Sequence, residues 1–238
     1  MPEFSMDVYG DKLYQTQTVF KYPKAGEANA IVSLHIHNLE SNTTHPVTLD
    51  KEYNDFYIPR IKWTNNADVL SAQYMNRHQN ELDLWMIDAE KNTGFIAISE
   101  KDKAYVDVTD NLTFLKDDSF IWTSEKDGYN HIYHHDKKGK LINQITKGNW
   151  EVTNYYGFDA KSDQIYYQSV ENASINRDVY SISLKGTKKH VYLDKTRTNS
   201  ADLVPISPIL SIRFLMCPRH LVILYIFQTA DLVNLLRP

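Results

Sequence analysis

The sequence predicts an all-β protein, a partial β-propeller of about four to five four-stranded antiparallel blades. Three observations carry this. Short runs of alternating polar and apolar residues recur in groups of four, separated by polar turns. The second runs of three such groups begin near residues 69, 119 and 164, spacings of 50 and 45 positions. Four short strands every ~40–50 residues is the repeat of propeller blades. The chain also holds 16 Tyr, nine Phe and four Trp, residues that favour strands, and no stretch of helical period interrupts the pattern. A large β-sandwich is the rival, and the grouping in fours favours the propeller.

The elements follow in order. Strands are expected at Phe4–Tyr9, Tyr14–Tyr22, Ile31–His37 and Pro46–Leu49. Between the second and third, Pro23 ends any ladder, and Gly26 and Asn29 mark a loop. The first clear group is Ile58–Trp63, Val69–Asn76, Leu82–Asp88 and Phe95–Ser99. The second is Leu112–Leu115, Ser119–Glu125, Tyr129–Asp136 and Leu141–Lys147, with the hairpin signal Asp127-Gly128 between its middle strands. The third is Val152–Asp159, Gln164–Val170, Arg177–Leu184 and Lys189–Leu193, with a turn at Lys185-Gly186.

Leu203–Pro238 departs from this logic. Of its 36 residues 22 are apolar, and it has no Lys, Glu or Gly. Arg213, Pro218, Arg219 and His220 interrupt it, so it falls short of the ~20 apolar residues of a membrane span. Residues 1–202 are therefore expected to form the partial propeller, and 203–238 an apolar tail that is no native blade.

Composition excludes several functions. Formal net charge is −4, with no basic surplus for nucleic acid. The single cysteine, Cys217, excludes an internal disulfide framework. The first residues carry neither the basic flank nor the apolar core of a signal peptide. They alternate like the middle of a strand, so the chain is expected to be a fragment of something longer.

No residue is singled out as catalytic, substrate-binding or metal-binding. His35 and His37 share a strand face, and His131, His134 and His135 cluster on another strand, but no Cys or His-Glu-x-x-His joins them. His131 is expected to be packed or hydrogen-bonded. Glu100, Asp102, Asp107, Asp110, Asp117 and Asp118 lack the Asp-x-Asp-x-Asp-Gly order of a calcium loop and read as turn residues. Trp63, Trp85, Trp122 and Trp150 read as burial between blades. No Gly-x-Ser-x-Gly elbow occurs, so no nucleophile is identified. No cofactor is expected.

Three segments carry a family resemblance: Tyr22-Pro23-Lys24-Ala25-Gly26-Glu27-Ala28-Asn29 with Val32-Ser33-Leu34, then Lys126-Asp127-Gly128-Tyr129-Asn130-His131-Ile132-Tyr133, then Ile145-Thr146-Lys147-Gly148-Asn149-Trp150-Glu151-Val152. In these the chain resembles the dipeptidyl peptidase IV family of the prolyl oligopeptidase clan, bacterial members of Bacteroidetes type above all. The resemblance implies an eight-bladed propeller over an α/β-hydrolase domain. It implies a serine exopeptidase that releases Xaa-Pro or Xaa-Ala dipeptides from peptide N-termini. The family's paired glutamates for the substrate amino group belong just before Pro2, and the hydrolase domain after the propeller. This chain holds neither and is expected to be inactive alone.

By the same resemblance the intact protein is expected to be periplasmic or envelope-associated, often homodimeric, with no membrane or nucleic-acid partner. The segment around Tyr105 falls near the family's substrate-facing aromatic loop, with no role assigned to Tyr105. A stand-alone propeller scaffold that binds peptides or proteins is the alternative. The tail has its own expectation. An allowed coding of Leu203–Phe214, read one nucleotide earlier, gives Phe-Ser-Pro-Asn-Phe-Ser-Tyr-Phe-Ile-Asn-Thr-Phe, an alternating strand of the family type. The frame is therefore expected to end near Asp202.

Overall fold

The computed structural model describes residues 2–192, 199–203, 209–214 and 222–227, the last three as backbone strands. All regular structure among these residues is strand. A hairpin comes first, β1 (Glu3–Val8) with β2 (Thr16–Lys21), followed by a two-stranded ribbon, β3 (His35–Asn38) with β4 (Thr43–Pro46). Three four-stranded meanders follow. They are β5 (Phe56–Trp63), β6 (Val69–Asn76), β7 (Glu81–Asp88) and β8 (Thr93–Lys101); then β9 (Thr113–Phe114), β10 (Phe120–Ser124), β11 (His131–His135) and β12 (Leu141–Gln144); then β13 (Val152–Asp159), β14 (Gln164–Ser169), β15 (Asp178–Ser183) and β16 (His190–Tyr192). A three-stranded sheet closes the series, β17 (Asn199–Leu203), β18 (Ile209–Phe214) and β19 (Val222–Phe227). Every pairing is antiparallel between chain neighbours, as short turns demand.

The cores lie between sheets, which is what makes these meanders propeller blades. In β6 the side chains of Leu70, Ala72 and Tyr74 point one way and Met75 the other, as strand periodicity requires. The first set joins Trp85, Ile87 and Ile36 in one core, against Leu34, Val47 and Leu49 that flank the preceding ribbon. Met75 joins Leu82, Leu84, Met86 and Ile98 in a second core, against Leu112, Phe120 and Trp122 of the next blade. A third core joins Ile121 and Ile132 to Ile165, Tyr167 and Tyr180 of the blade after that. The middle strands are therefore buried on both faces: six consecutive residues of β6 and of β7 are buried. Removing the Leu84 side chain to Cβ would cost about 2–5 kcal/mol at such a site.

A repeated turn locks blade to blade. Asn92, Gly139 and Gly186 lie 47 residues apart, each in the turn before its blade's last strand. All three have positive φ. Asn92 Nδ2 donates to the Pro46 carbonyl at 2.9 Å. A Cβ on Gly139 would sit 1.7 Å from the Ala97 carbonyl oxygen, and one on Gly186 3.1 Å from that of Ile145. Each turn thus rests on the outer edge of the preceding blade. Only glycine fits at Gly139, on both conformation and space.

Three expectations need correction. Ile31–Leu34 is not in a ladder, and β3 starts at His35; β4 is Thr43–Pro46 rather than Pro46–Leu49. Chain propensity made Ile31–Val32 strand-like, but a ladder needs a facing partner, and β4 reaches only the later residues. Trp63 is 50% exposed, whereas Trp85 and Trp122 are buried. Trp63 ends an edge strand whose last four residues all face solvent. Leu193, expected to end the last strand of its blade, lies outside the described residues.

Candidate functional site

The crossing from β8 to β9 leaves a cleft of about 880 Å³ beside the neighbouring hairpin. One wall is the end of β8 from Ala97 to Lys101, the next is the crossing segment 102–111, and the third is the end of β10 with the β10–β11 turn. His135 and Gly139 line it as well. The register shift between His134 and His135 in the β11–β12 ladder re-aims this part of the strand, as bulges do.

Acidic side chains dominate the cleft. Glu100, Asp102, Asp107, Asp110 and Glu125 line it, against Lys101 and Lys126. Asp110 is held by Arg60. Glu100 Oε1 accepts from the Trp122 indole N–H at 2.8 Å. Asp107 Oδ1 accepts from the Tyr105 hydroxyl at 3.3 Å, and Tyr105 is half exposed. Partial burial, then the charges of Asp107, Glu151, Glu100 and Asp102, push the Glu125 carboxyl above its ordinary range. Burial pushes Lys126 down, and its Nζ lies 3.8 Å from the Tyr133 ring centroid.

The residues weighed from sequence are thus divided. Glu100, Asp102, Asp107, Asp110, Tyr105 and His135 converge on one cleft. The acids were expected as turn residues and Glu125 as the end of a strand, whereas Glu100 lies in β8 and all five acids line the cleft. Glu100 and Glu125 belong to successive blades, and only the blade contact brings them together. The acid run itself was the visible signal. Asp117 lies apart, accepting from Ser119 Oγ at 2.5 Å.

The histidines are largely structural. His35 contacts Ser33 and His37 contacts Thr44. His131 is fully buried, with Nδ1 3.1 Å from Thr146 Oγ1 and Nε2 donating to the Gly148 carbonyl at 3.0 Å. His134 Nε2 is 2.9 Å from Ser119 Oγ. With Asp117 this looks like a Ser-His-Asp set, but the hydroxyl donates to the carboxylate. Its proton therefore points away from the histidine, which cannot act as base toward it. Among the described residues no group of three or more His, Cys, Asp or Glu side chains is placed to hold a metal ion.

A family model described as dipeptidyl peptidase IV (DPP IV) N-terminal region matches residues 1–207. A probable dipeptidyl-aminopeptidase B of Pyrenophora teres f. teres is 30% identical over 197 residues, which is 75% of this chain and 21% of that protein. The crystal structure of Porphyromonas gingivalis dipeptidyl peptidase 4 matches with a TM-score of 0.85 at 37% identity, over 95% of this chain and 32% of that one. A putative dipeptidyl aminopeptidase IV from Bacteroides ovatus matches with a TM-score of 0.77 at 21% identity, over 95% of this chain and 35% of that one, a likeness of fold alone. The chain spans about a fifth of the length of the first curated relatives and about a third of the solved structures.

Proposed function

The chain belongs to the dipeptidyl peptidase IV family, as propeller blades of its N-terminal region, and from that premise we propose that it is the non-catalytic wall of a bacterial serine exopeptidase. In the intact enzyme it gates the catalytic cavity and helps orient the peptide N-terminus. A separate α/β-hydrolase domain does the chemistry, releasing Xaa-Pro or Xaa-Ala dipeptides. Acyl transfer needs a nucleophile, a base and an oxyanion hole. In this chain the Ser119 proton is committed to Asp117 rather than to His134. The observation that supports the peptide-facing role is the cleft built around Tyr105.

The homodimer expected of the family finds support in the β1–β2 hairpin. Its Met6, Val8, Val19, Phe20 and the adjoining Tyr22 are exposed, and Phe4, Phe20 and Tyr22 stack edge to edge. None of them belongs to the three cores. A two-stranded ribbon of this kind is marginal in water without a partner. A periplasmic or envelope location fits this reading, and the tail after Asp202 is read as out of frame.

The coding DNA on both sides tests the assignment. A Glu-Glu pair upstream and a Gly-Trp-Ser-Tyr-Gly-Gly-type elbow downstream are expected, with an alternating strand in the shifted frame after Asp202. A stop with no hydrolase domain in any frame would favour the stand-alone scaffold instead.

A further inference from the structure

We propose that the cleft between the β8 edge and the β10–β11 hairpin recognises the basic side chain of a peptide, with Glu125 and Asp107 taking its charge and His135 a hydrogen bond. This rests on the reading that these blades wall a peptide path, and adds the chemistry of one contact along it.

Charge argues first. Two cations near the cleft are already paired with acids. Lys101 pairs with Glu81 at 3.0 Å, and Arg60 is taken by Asp110. Lys126 lies against the Tyr133 ring. Among the described residues Asp102, Asp107 and Glu125 have no ion-pair partner. Four other carboxylates act on Glu125, from Asp107, Glu151, Glu100 and Asp102, and raise its proton affinity. Such convergence works against folding, since it is relieved only by a proton or a cation. Groups kept at a cost to stability mark function rather than scaffold.

His135 is the independent observation. It is 4% exposed, lines the cleft and stacks on Phe120 with ring centroids 5.5 Å apart. Its Nδ1–H donates to the Gly139 carbonyl at 2.8 Å. That fixes the tautomer and leaves Nε2 as an acceptor. Nε2 is buried and has no hydrogen-bond partner. A buried acceptor left unpaired costs about 1–3 kcal/mol. The unpaired carboxylates and this nitrogen are acceptors, and guanidinium and ammonium groups are donors without acceptors. Tyr105, on the exposed side, offers a ring face to the alkyl stem or the cation.

Surface plasmon resonance tests this, with the 238-residue chain captured at low density. The probes are N-acetyl-Ala-Arg-Ala-amide, the same peptide with citrulline for arginine, and Ala-Ala-Ala-amide with a free amine. Citrulline keeps the shape and removes the charge. We expect the arginine peptide to bind about ten-fold tighter than either of the others, weakening with added salt. The Glu125→Gln, Asp107→Asn double variant is expected to lose that preference while melting no lower than the parent chain. Equal binding of arginine and citrulline peptides, binding by neither, or a preference for the free amine over the acetylated arginine peptide would each overturn the proposal. So would a folded double variant that keeps the preference. If the variant does not fold, the comparison on the unmodified chain still decides. Failure here leaves the family role to the coding DNA, which decides it separately.

Discussion

At the scale of single residues, Asp83 is a buried carboxylate tied to two neighbours. Its side chain is fully buried, with Oδ2 accepting from Lys51 Nζ at 2.5 Å and from the Tyr53 hydroxyl at 2.6 Å. Trp85 Nε1 donates to the same hydroxyl at 2.6 Å. Burial alone would raise the Asp83 carboxyl, but the hydrogen bonds led by Lys51 outweigh it and hold it below its ordinary value. The folded chain therefore binds this proton less readily than the unfolded chain. Its contribution to stability is present above about pH 4 and is lost as pH falls through the lowered folded value. Lys51→Met leaves the Asp83 charge without its ion-pair partner, and because the Lys51 side chain is 35% exposed and screened by solvent the expected cost is about 1–3 kcal/mol. Urea melts at pH 7 and pH 3 measure both effects, and the deficit of the variant should shrink at the lower pH. Nothing in the sequence tied Lys51 to Asp83, because the pair spans 32 positions and forms only when the segment before β5 crosses the sheet. The acids of the cleft were visible for the opposite reason: most lie close in sequence, and only their convergence with Glu125 needed the fold.

At the scale of elements, the strands β5 to β16 were largely legible. Val69–Asn76 and Val152–Asp159 were placed to the residue, and the others shifted by a few positions at their ends. Alternation is strong there because turns such as Asp127-Gly128 punctuate it. The 47-residue period of the docking turns was hidden, because Asn92 performs by hydrogen bonding what Gly139 and Gly186 perform by close approach. Two substitutions separate the turn's own conformation from its docking. Gly128 has φ +100 and open space around it, so Gly128→Ala meets backbone strain alone, about 1–2 kcal/mol. Gly139→Ala meets that strain and the Ala97 carbonyl, and is expected to cost about 2–4 kcal/mol. Chemical denaturation of both variants checks the order, and equal costs would remove the docking role from Gly139.

At the scale of the whole molecule, each core joins one sheet only to its neighbour. Stability is then a sum of blade terms and interface terms, as in other repeat architectures. We expect thermal unfolding of the chain to be broad, with a van't Hoff enthalpy below the calorimetric one and self-association at higher concentration. A sharp two-state transition of a monomer would contradict this. The propeller class was readable from strand grouping alone, while the family came from three motifs and is borne out by the match over residues 1–207.

The central claim is that these blades serve a peptidase without performing its chemistry. Release of p-nitroaniline from an Xaa-Pro p-nitroanilide by the purified chain tests it most directly. No turnover above the buffer rate is expected. Measurable turnover, abolished by a serine-directed inhibitor, would contradict it.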